Sequence, residues 1–401
     1  MALQSYKSAY PFPRFSSAPQ TPHNTPDTGW PYMAQSSNQQ SLWKKAVLAF
    51  LSVIVLLLWI IRPFSIPQIK SDRVPFQDTA NDDYFRGFEG NQECKIASKD
   101  LYAPPILPVK DAQKHTAFCR NRAILLEAMS EGGRHGFEHP YFPAGCHYRW
   151  YSTPEICMIL ERFDAIVFIG DDTLKHIYAA FNMLLRKNIA TGGLDLVTLA
   201  DSDRAICRCD NQFMRPECSS HLVTDSQAAP AEKGTARPPN PYYCDRTRHL
   251  FLPIANSPAP EDLHAKFTSI LARDPDGYKP IPVLHSLSLA TSLSTSSATS
   301  SMDEWVSLAD DSGKNVPFLW IGPNAAGHLK PPSQIASEGN NAIWHYTRET
   351  IKEAKSRELD AIGMYNLTLQ ANSWDGSHYG LKVSLVQAMM VINWLSRVDS
   401  T

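Results

Sequence analysis

An uncharged run from Ala46 to Ile61 constrains this chain more than any other feature of the sequence. The run is apolar except for one serine, and Lys44, Lys45 and Arg62 flank it. A helix needs about 20 apolar residues to cross a bilayer, and flanking aromatic residues and snorkelling lysines extend this run to that length. The sequence therefore predicts a transmembrane helix at residues 44–64. A buried core helix is the alternative, but such helices seldom have only one polar residue.

The cysteines predict on which side of the membrane the rest of the chain lies. None precedes the apolar run, and all eight follow it: Cys94, Cys119, Cys146, Cys157, Cys207, Cys209, Cys218 and Cys244. An even number on one side indicates an oxidising compartment and disulfide bonds, whose pairing the sequence does not give. The spacing of Cys207, Cys209 and Cys218 lacks the CxxC pairs typical of zinc sites, so no metal site is predicted.

The positive charges on the two flanks of the predicted anchor are nearly balanced, so they do not indicate its orientation in the membrane. The cysteines are therefore used to predict that orientation. A sequon at Asn366 lies on the same side as the cysteines and predicts glycosylation there. The segment before the run is too long for the n-region of a cleaved signal peptide. We expect a type II protein of the secretory pathway, in the Golgi or the endoplasmic reticulum, with a lumenal C-terminal domain.

The composition divides the chain into four parts. Residues 1–43 are rich in Pro, Ser and Gln and are predicted to be a disordered cytosolic tail, followed by the anchor at 44–64, a stem at 65–90 and one lumenal domain at 91–401. Within that domain, residues 205–247 and 286–301 are predicted to be loop insertions, the second a Ser/Thr-rich candidate for O-glycosylation. A formal charge of −2 argues against nucleic-acid binding. The oligomeric state is not indicated.

Apolar runs and helical periodicity alternate along the lumenal domain. Strands are predicted at residues 164–170, 194–199, 316–321 and 361–364, and helices at 173–186, 342–358 and 379–398. This alternation predicts an α/β fold with a mainly parallel sheet covered on both faces.

Three short motifs follow predicted strands or precede predicted helices. Gly170-Asp171-Asp172 joins a buried strand to a helix, where such a turn exposes one side chain at the carboxyl end of the sheet. Taken alone, this motif favours the simpler interpretation that Asp172 caps the helix, which is worth about 1 kcal/mol. Asp375 and His378 are three residues apart in a glycine-containing turn and can form an acid–base pair. Asn324 follows another strand and presents an amide.

In this order, the three motifs resemble those of the SGNH/GDSL hydrolase superfamily, over roughly residues 160–398. The chain looks most like its membrane-anchored PC-esterase group, which includes trichome-birefringence-like proteins and glycan O-acetyltransferases. The resemblance implies a three-layer α/β/α fold, acyl-ester chemistry on carbohydrate and no cofactor. It implies that Asp375 and His378 are the catalytic acid and base, and that Asn324 and the turn at Gly170 provide the oxyanion site. Gly192 and Gly193 precede the predicted strand, so the family's second-block glycine is not placed.

Asp172 departs from the family pattern, because it occupies the position of the nucleophilic serine. A carboxylate attacking an ester carbonyl would give a reactive anhydride and would repel the developing oxyanion, so we exclude serine-type acyl transfer through this residue. Thr173 is a weak alternative, since successive helical residues point about 100° apart; Ser377 is weaker still. An Asp172–His378 ion pair would hold the histidine protonated.

Three functions are consistent with these residues. The first is an active esterase or O-acyltransferase acting on acyl groups of glycans. The alternative is a catalytically dead pseudoenzyme that binds carbohydrate or a partner. A purely structural membrane protein is the third, and the presence of Asp375, His378 and Asn324 argues against it.

Overall fold

The computed structural model describes residues 83–103, 117–134, 136–227, 241–274 and 277–399, together with Phe50 and Ser52. The predicted tail, most of the stem and, apart from Phe50 and Ser52, the predicted anchor lie outside these residues. Within the described ranges, no helix has the length and apolar character needed to cross a bilayer. Residues from Asp78 onward form one unit, which is described by itself below.

A parallel sheet of five strands lies at the centre of this unit. In chain order the strands are β1 (Ala165–Gly170), β2 (Arg248–Pro253), β3 (Val283–Ser286), β4 (Phe318–Ile321) and β5 (Asp360–Ile362). Their order across the sheet is β2-β1-β3-β4-β5, and every neighbouring pair is parallel. The chain leaves β1 in one direction to form β2 and then returns past β1 to form β3. Ligands of such sheets bind at this reversal, beyond the carboxyl ends of the strands.

Seven longer helices of the described chain surround the sheet. They are α1 (Arg122–Glu131), α2 (Thr153–Leu160), α3 (Asp172–Arg186), α4 (Glu261–Leu271), α5 (Thr295–Asp311), α6 (Asn340–Ser356) and α7 (Leu381–Leu395). Alternate residues of β1 belong to two different cores: Ile166 and Phe168 to one, Val167 and Ile169 to the other. Because successive strand residues point to opposite faces, both faces of the sheet are covered. The predicted α/β class with a parallel sheet is confirmed.

Shorter helical segments connect these elements. The α-helical ones are Asn91–Cys94, Asp201–Ile206, Asn211–Met214, Pro216–Ser219, Ile335–Glu338 and Tyr365–Thr368. The 3-10 segments are Tyr84–Gly87, Ser98–Asp100, Leu289–Thr291 and Pro332–Gln334.

Three predicted segments differ from the structure. Residues 194–199 form turns rather than a strand, and Leu194 makes only an isolated bridge to Leu222. Residues 286–301 are not a loop insertion, because α5 begins at Thr295 and buries Ala298. The Ser/Thr-rich composition had concealed the helical spacing of that buried face. The end of the predicted stem belongs to the folded domain, since Phe85 is fully buried in the core that contains α3.

All eight cysteines are paired, which confirms the predicted disulfides. The bonds are Cys94–Cys209, Cys119–Cys146, Cys157–Cys244 and Cys207–Cys218. Three of them anchor the predicted insertion at residues 205–247, whose described parts are short helices and irregular chain. Within it, Asp210 accepts a hydrogen bond from the backbone N–H of Leu381 (2.7 Å) at the start of α7. This segment therefore supports the helix that follows the Asp375–His378 turn.

Candidate active site

A cleft of about 380 Å³ opens beyond the carboxyl ends of β1 and β3. Four of the residues predicted from the motifs line it together: Asp172, Thr173, Asp375 and His378. The other described residues of its wall are Asp171, Leu289, Ala290, Pro331, Gln334, Glu338 and Ser377. The GDD turn and the DGSH turn, which lie about 200 residues apart in the chain, thus meet in one cleft. We call it the main cleft.

Asp171 fixes the turn between β1 and α3. Its side chain caps α3 by accepting the backbone N–H of Thr173 (3.2 Å). The other carboxylate oxygen accepts both the backbone N–H (2.8 Å) and the hydroxyl (2.7 Å) of Ser288, which follows β3. Burial raises the pKa of Asp171, although the hydrogen bonds from Ser288 and Thr173 oppose this. The helix cap is therefore Asp171 and not Asp172, which corrects the simpler interpretation of the motif.

Asp172 is the first residue of α3, and its side chain is exposed in the main cleft. Within the described chain, its carboxylate makes no hydrogen bond or ion pair. An anionic group is favoured at a helix N-terminus by the helix dipole. Thr173 is buried but also contributes to the wall of the cleft.

Asp375 and His378 form the predicted pair. Nδ1 of His378 donates to Oδ2 of Asp375 (2.7 Å), and the other carboxylate oxygen accepts the backbone N–H groups of His378 (2.7 Å) and Ser377 (2.8 Å). Burial alone would raise the pKa of Asp375, but the hydrogen bonds from His378 and Ser377 outweigh it and lower the pKa to about 2. The indole of Trp374 stacks on the imidazole, with ring centroids 5.5 Å apart. Both the tautomer and the orientation of His378 are thereby fixed.

The remaining nitrogen of His378, Nε2, has no hydrogen-bond partner among the described residues. Burial would lower the pKa of His378, but the hydrogen bond and charge of Asp375, with the charges of Asp172 and Asp171, raise it overall. His176 lies behind it, with ring centroids 5.3 Å apart, and burial lowers the pKa of His176 to about 3. The neutral imidazole of His176 therefore packs against the imidazole of His378, whose Nε2 is the candidate base.

Asp172 and His378 share the main cleft, but these two described residues do not form an ion pair within 4.0 Å. The carboxylate acts on the imidazole through its charge, which is one cause of the raised pKa of His378. A direct ion pair with Asp172, which would hold His378 protonated, is therefore absent among the described residues. The charge of Asp172 nevertheless contributes to the raised pKa of His378.

Both predicted oxyanion groups, Asn324 and Gly170, lie outside the wall of the main cleft. Asn324 is buried, and its side-chain oxygen accepts a hydrogen bond from Gln387 (2.7 Å). Gly170 ends β1, and a Cβ there would lie 2.6 Å from the carbonyl oxygen of Ser286. The roles of Asn324 and Gly170 in an oxyanion site stay predictions. Gly193, which was assigned no role, donates its N–H to Gln212 (3.0 Å) and does not line the cleft.

Sequence reasoning missed a polar group at the rim of the cleft. The buried ammonium of Lys330 donates to the hydroxyl of Ser377 (2.8 Å) and pairs with Glu338. Glu338 and Ser377 both line the cleft. Lys330 lies in a loop with no motif around it, so only the tertiary structure reveals this contact.

The predicted glycosylation site lies beside β5. The side-chain nitrogen of Asn366 donates to the backbone carbonyl of Ser130 (2.9 Å), and the side chain is half-buried. A glycan attached there would replace the other hydrogen atom of that nitrogen, which does not take part in the bond to Ser130. Glycosylation of Asn366 stays a prediction.

No group of three or more His, Cys, Asp or Glu side chains among the described residues is arranged to hold a metal ion. No family model matches the chain, and no curated protein matches it. Among solved structures, it is similar to a carbohydrate acetylesterase from Sinorhizobium meliloti at 10% identity, with a TM-score of 0.31. That similarity covers 57% of this chain and 96% of the other.

Proposed function

We propose that this chain is a membrane-anchored acyl esterase or O-acyltransferase that acts on acyl groups, such as acetyl, carried by a glycan. One observation carries the proposal: the Asp375–His378 pair is assembled in a cleft, with Nε2 of the histidine free of protein partners in the described chain. A fixed imidazole held by a carboxylate is suited to general base catalysis.

In the proposed mechanism, His378 acts on the incoming hydroxyl itself. Nε2 takes the proton of a water or sugar hydroxyl, whose oxygen attacks the acyl carbonyl carbon. When the bond to the leaving oxygen breaks, His378 returns the proton to that oxygen. Water as the attacking group gives hydrolysis, and a sugar hydroxyl gives transfer. No bond to the protein forms, so the missing serine is not required.

Asp172 has an electrostatic role in this mechanism. Its exposed carboxylate disfavours an oxyanion beside it but stabilises the imidazolium that His378 becomes after taking the proton. The oxyanion must therefore develop on the side of the cleft away from Asp172. The proposal also includes a single membrane span at residues 44–64 and a lumenal domain in the Golgi or endoplasmic reticulum.

A pseudoenzyme that binds carbohydrate or a partner is the second candidate. It is favoured by the carboxylate of Asp172 at the position of the family's nucleophile and by the raised pKa of His378, which extends to higher pH the range in which the imidazole cannot accept a proton. Activity that increases as the pH rises through the pKa of His378 would distinguish an enzyme from this alternative.

The test is a fluorophosphonate probe combined with an acetyl-ester assay on the full-length protein. We expect the native protein to release acetate without forming an adduct, and Asp172→Ser to form an adduct at residue 172. His378→Gln is the matched control, since it keeps a polar side chain that can form hydrogen bonds but removes the base. An adduct on Thr173 or Ser377 of the native protein would contradict direct attack. Absence of acetate release up to alkaline pH would favour the pseudoenzyme.

A further inference from the structure

A second cleft, of about 470 Å³, lies beside the main cleft. Its wall includes Arg134, Phe137, Glu138, Asn372, Trp374 and Lys382. None of these residues lines the main cleft, although Trp374 also stacks on His378. We call it the side cleft.

Two crossing chain segments form the ridge between the two clefts. Leu329 lines the side cleft and Pro331 the main cleft, while Trp374 lines the side cleft and Asp375 the main one. The segments touch at Gly376, where an added Cβ would lie 2.2 Å from the backbone nitrogen of Lys330. Residues one or two positions apart are at most about 7 Å from each other. A ligand longer than one sugar ring can therefore occupy both clefts.

The charges of the side cleft favour a neutral occupant. Its described wall has three carboxylates, on Asp100, Glu138 and Asp210, and two cations, on Arg134 and Lys382. Lys382 pairs with Glu138 (3.1 Å). An anionic ligand would face the three carboxylates, and a cationic one the guanidinium and the ammonium. The hydroxyl groups of a neutral ligand can donate hydrogen bonds to the carboxylates and accept hydrogen bonds from the cations, so a neutral ligand can bind to both kinds of group.

The other wall residues favour a ligand with both apolar and polar faces. Phe137 is 51% exposed and Trp374 presents an indole, so aromatic surface is available. Polar side chains of the wall are also accessible: Asn372 is exposed, and the side chains of Glu138 and Lys382 are 70% and 39% exposed. A pocket with aromatic walls and a few convergent polar groups is typical of a small-molecule site. The C–H faces of a pyranose ring would pack on the aromatic rings, and its hydroxyls would face the polar groups.

We propose that the side cleft binds a neutral saccharide unit of the same glycan whose acylated unit occupies the main cleft. The substrate is then an oligosaccharide, and a single acylated sugar fills only half of the site. Trp374 acts as a positioning residue, because it contributes to the side cleft and also stacks on His378. The inference rests on the proposed function in taking the occupant of the main cleft to be part of a glycan.

The test measures binding without turnover. The full-length protein is titrated calorimetrically with neutral trisaccharides of glucose, mannose and xylose, each beside its monosaccharide. We expect at least one trisaccharide to bind about 10-fold more tightly than its monosaccharide, which corresponds to about 1.4 kcal/mol. Phe137→Ala and Asn372→Ala should each remove most of that gain, because both side chains are exposed in the side cleft. Tyr278→Ala is the matched control, since that ring is 79% exposed and lines neither cleft.

Equal binding of every trisaccharide and its monosaccharide would overturn the proposal. So would a gain that survives both variants, or tighter binding of an acidic trisaccharide such as trigalacturonate. Trisaccharide binding that depends on Phe137, without acetate release from any acetylated glycan, would sustain the side cleft and count against the proposed function.

Discussion

Asp171 and Asp172 are adjacent carboxylates, but we predict very different costs of replacing them by alanine. Asp171→Ala removes the cap of α3, worth about 1 kcal/mol. It also removes two hydrogen bonds from Ser288 to the carboxylate, at about 1.5 kcal/mol each. Part of this loss is offset because a buried carboxyl no longer has to be desolvated. We expect a decrease of about 3 kcal/mol in the free energy of unfolding. Asp172→Ala removes an exposed group whose interaction with the helix dipole is worth at most about 1 kcal/mol.

The assay is denaturant unfolding of the full-length protein with its disulfides oxidised, followed by tryptophan fluorescence. Ser288→Ala is the matched control and should give an intermediate loss of about 1.5 kcal/mol, because only the hydroxyl contact disappears. The slope of the unfolding free energy against denaturant should be the same for all three variants. Equal losses for Asp171→Ala and Asp172→Ala, or a larger loss for Asp172→Ala, would refute the assignment of Asp171 as the residue that holds the turn.

Two further predictions concern the Asp375–His378 turn and its electrostatics. Gly376→Ala should destabilise the domain by more than about 2 kcal/mol, because φ is +86° and the new Cβ would meet the backbone of Lys330. Gly313→Ala, with φ of +65° but open space, should cost only about 1 kcal/mol in the same unfolding assay, and equal costs would contradict the steric argument. Asp172→Asn should move the acidic limb of the pH profile of kcat/KM to lower pH, because one of the charges that raise the pKa of His378 is removed. A limb that stays in place or moves to higher pH would show that Asp172 does not influence the base.

Apolar runs predicted the elements that form the central part of the domain. The structure places β1 at Ala165–Gly170 and begins α3 at Asp172, within one residue of the expected bounds. The last helix was also expected, because its apolar residues are nearly continuous, and it is buried on all sides. Such elements are recognisable because burial alone determines their composition.

Other elements could not be recognised from local patterns. Arg248 and His249 open β2, and His285 and Ser286 close β3, so neither strand shows an apolar run. His285 is accommodated because Nδ1 bonds the carbonyl of Ile169 (2.9 Å) on the neighbouring strand. Residues 194–199 form turns outside the sheet, in which Leu194 and Leu199 are buried while Leu196 and Val197 are exposed. In each case the neighbours in space, not the neighbours in sequence, determine the structure.

The site shows the same division. The resemblance to the SGNH/GDSL hydrolases implied that the motifs of Asp172 and His378 belong to one site, and the structure places both residues in one cleft. The contact of Ser288 with Asp171 required β3, which was not predicted. The Lys330 contact and the side cleft depend on loops that carry no periodic signal.

The most direct test of the central claim is the initial rate of acetate release from an acetylated oligosaccharide by the native protein and by His378→Gln. If His378 is the base that activates the attacking hydroxyl, the native protein releases acetate and the variant is slower by about 100-fold or more. An equal rate in the two proteins, or no release by the native protein at any pH, would contradict the claim.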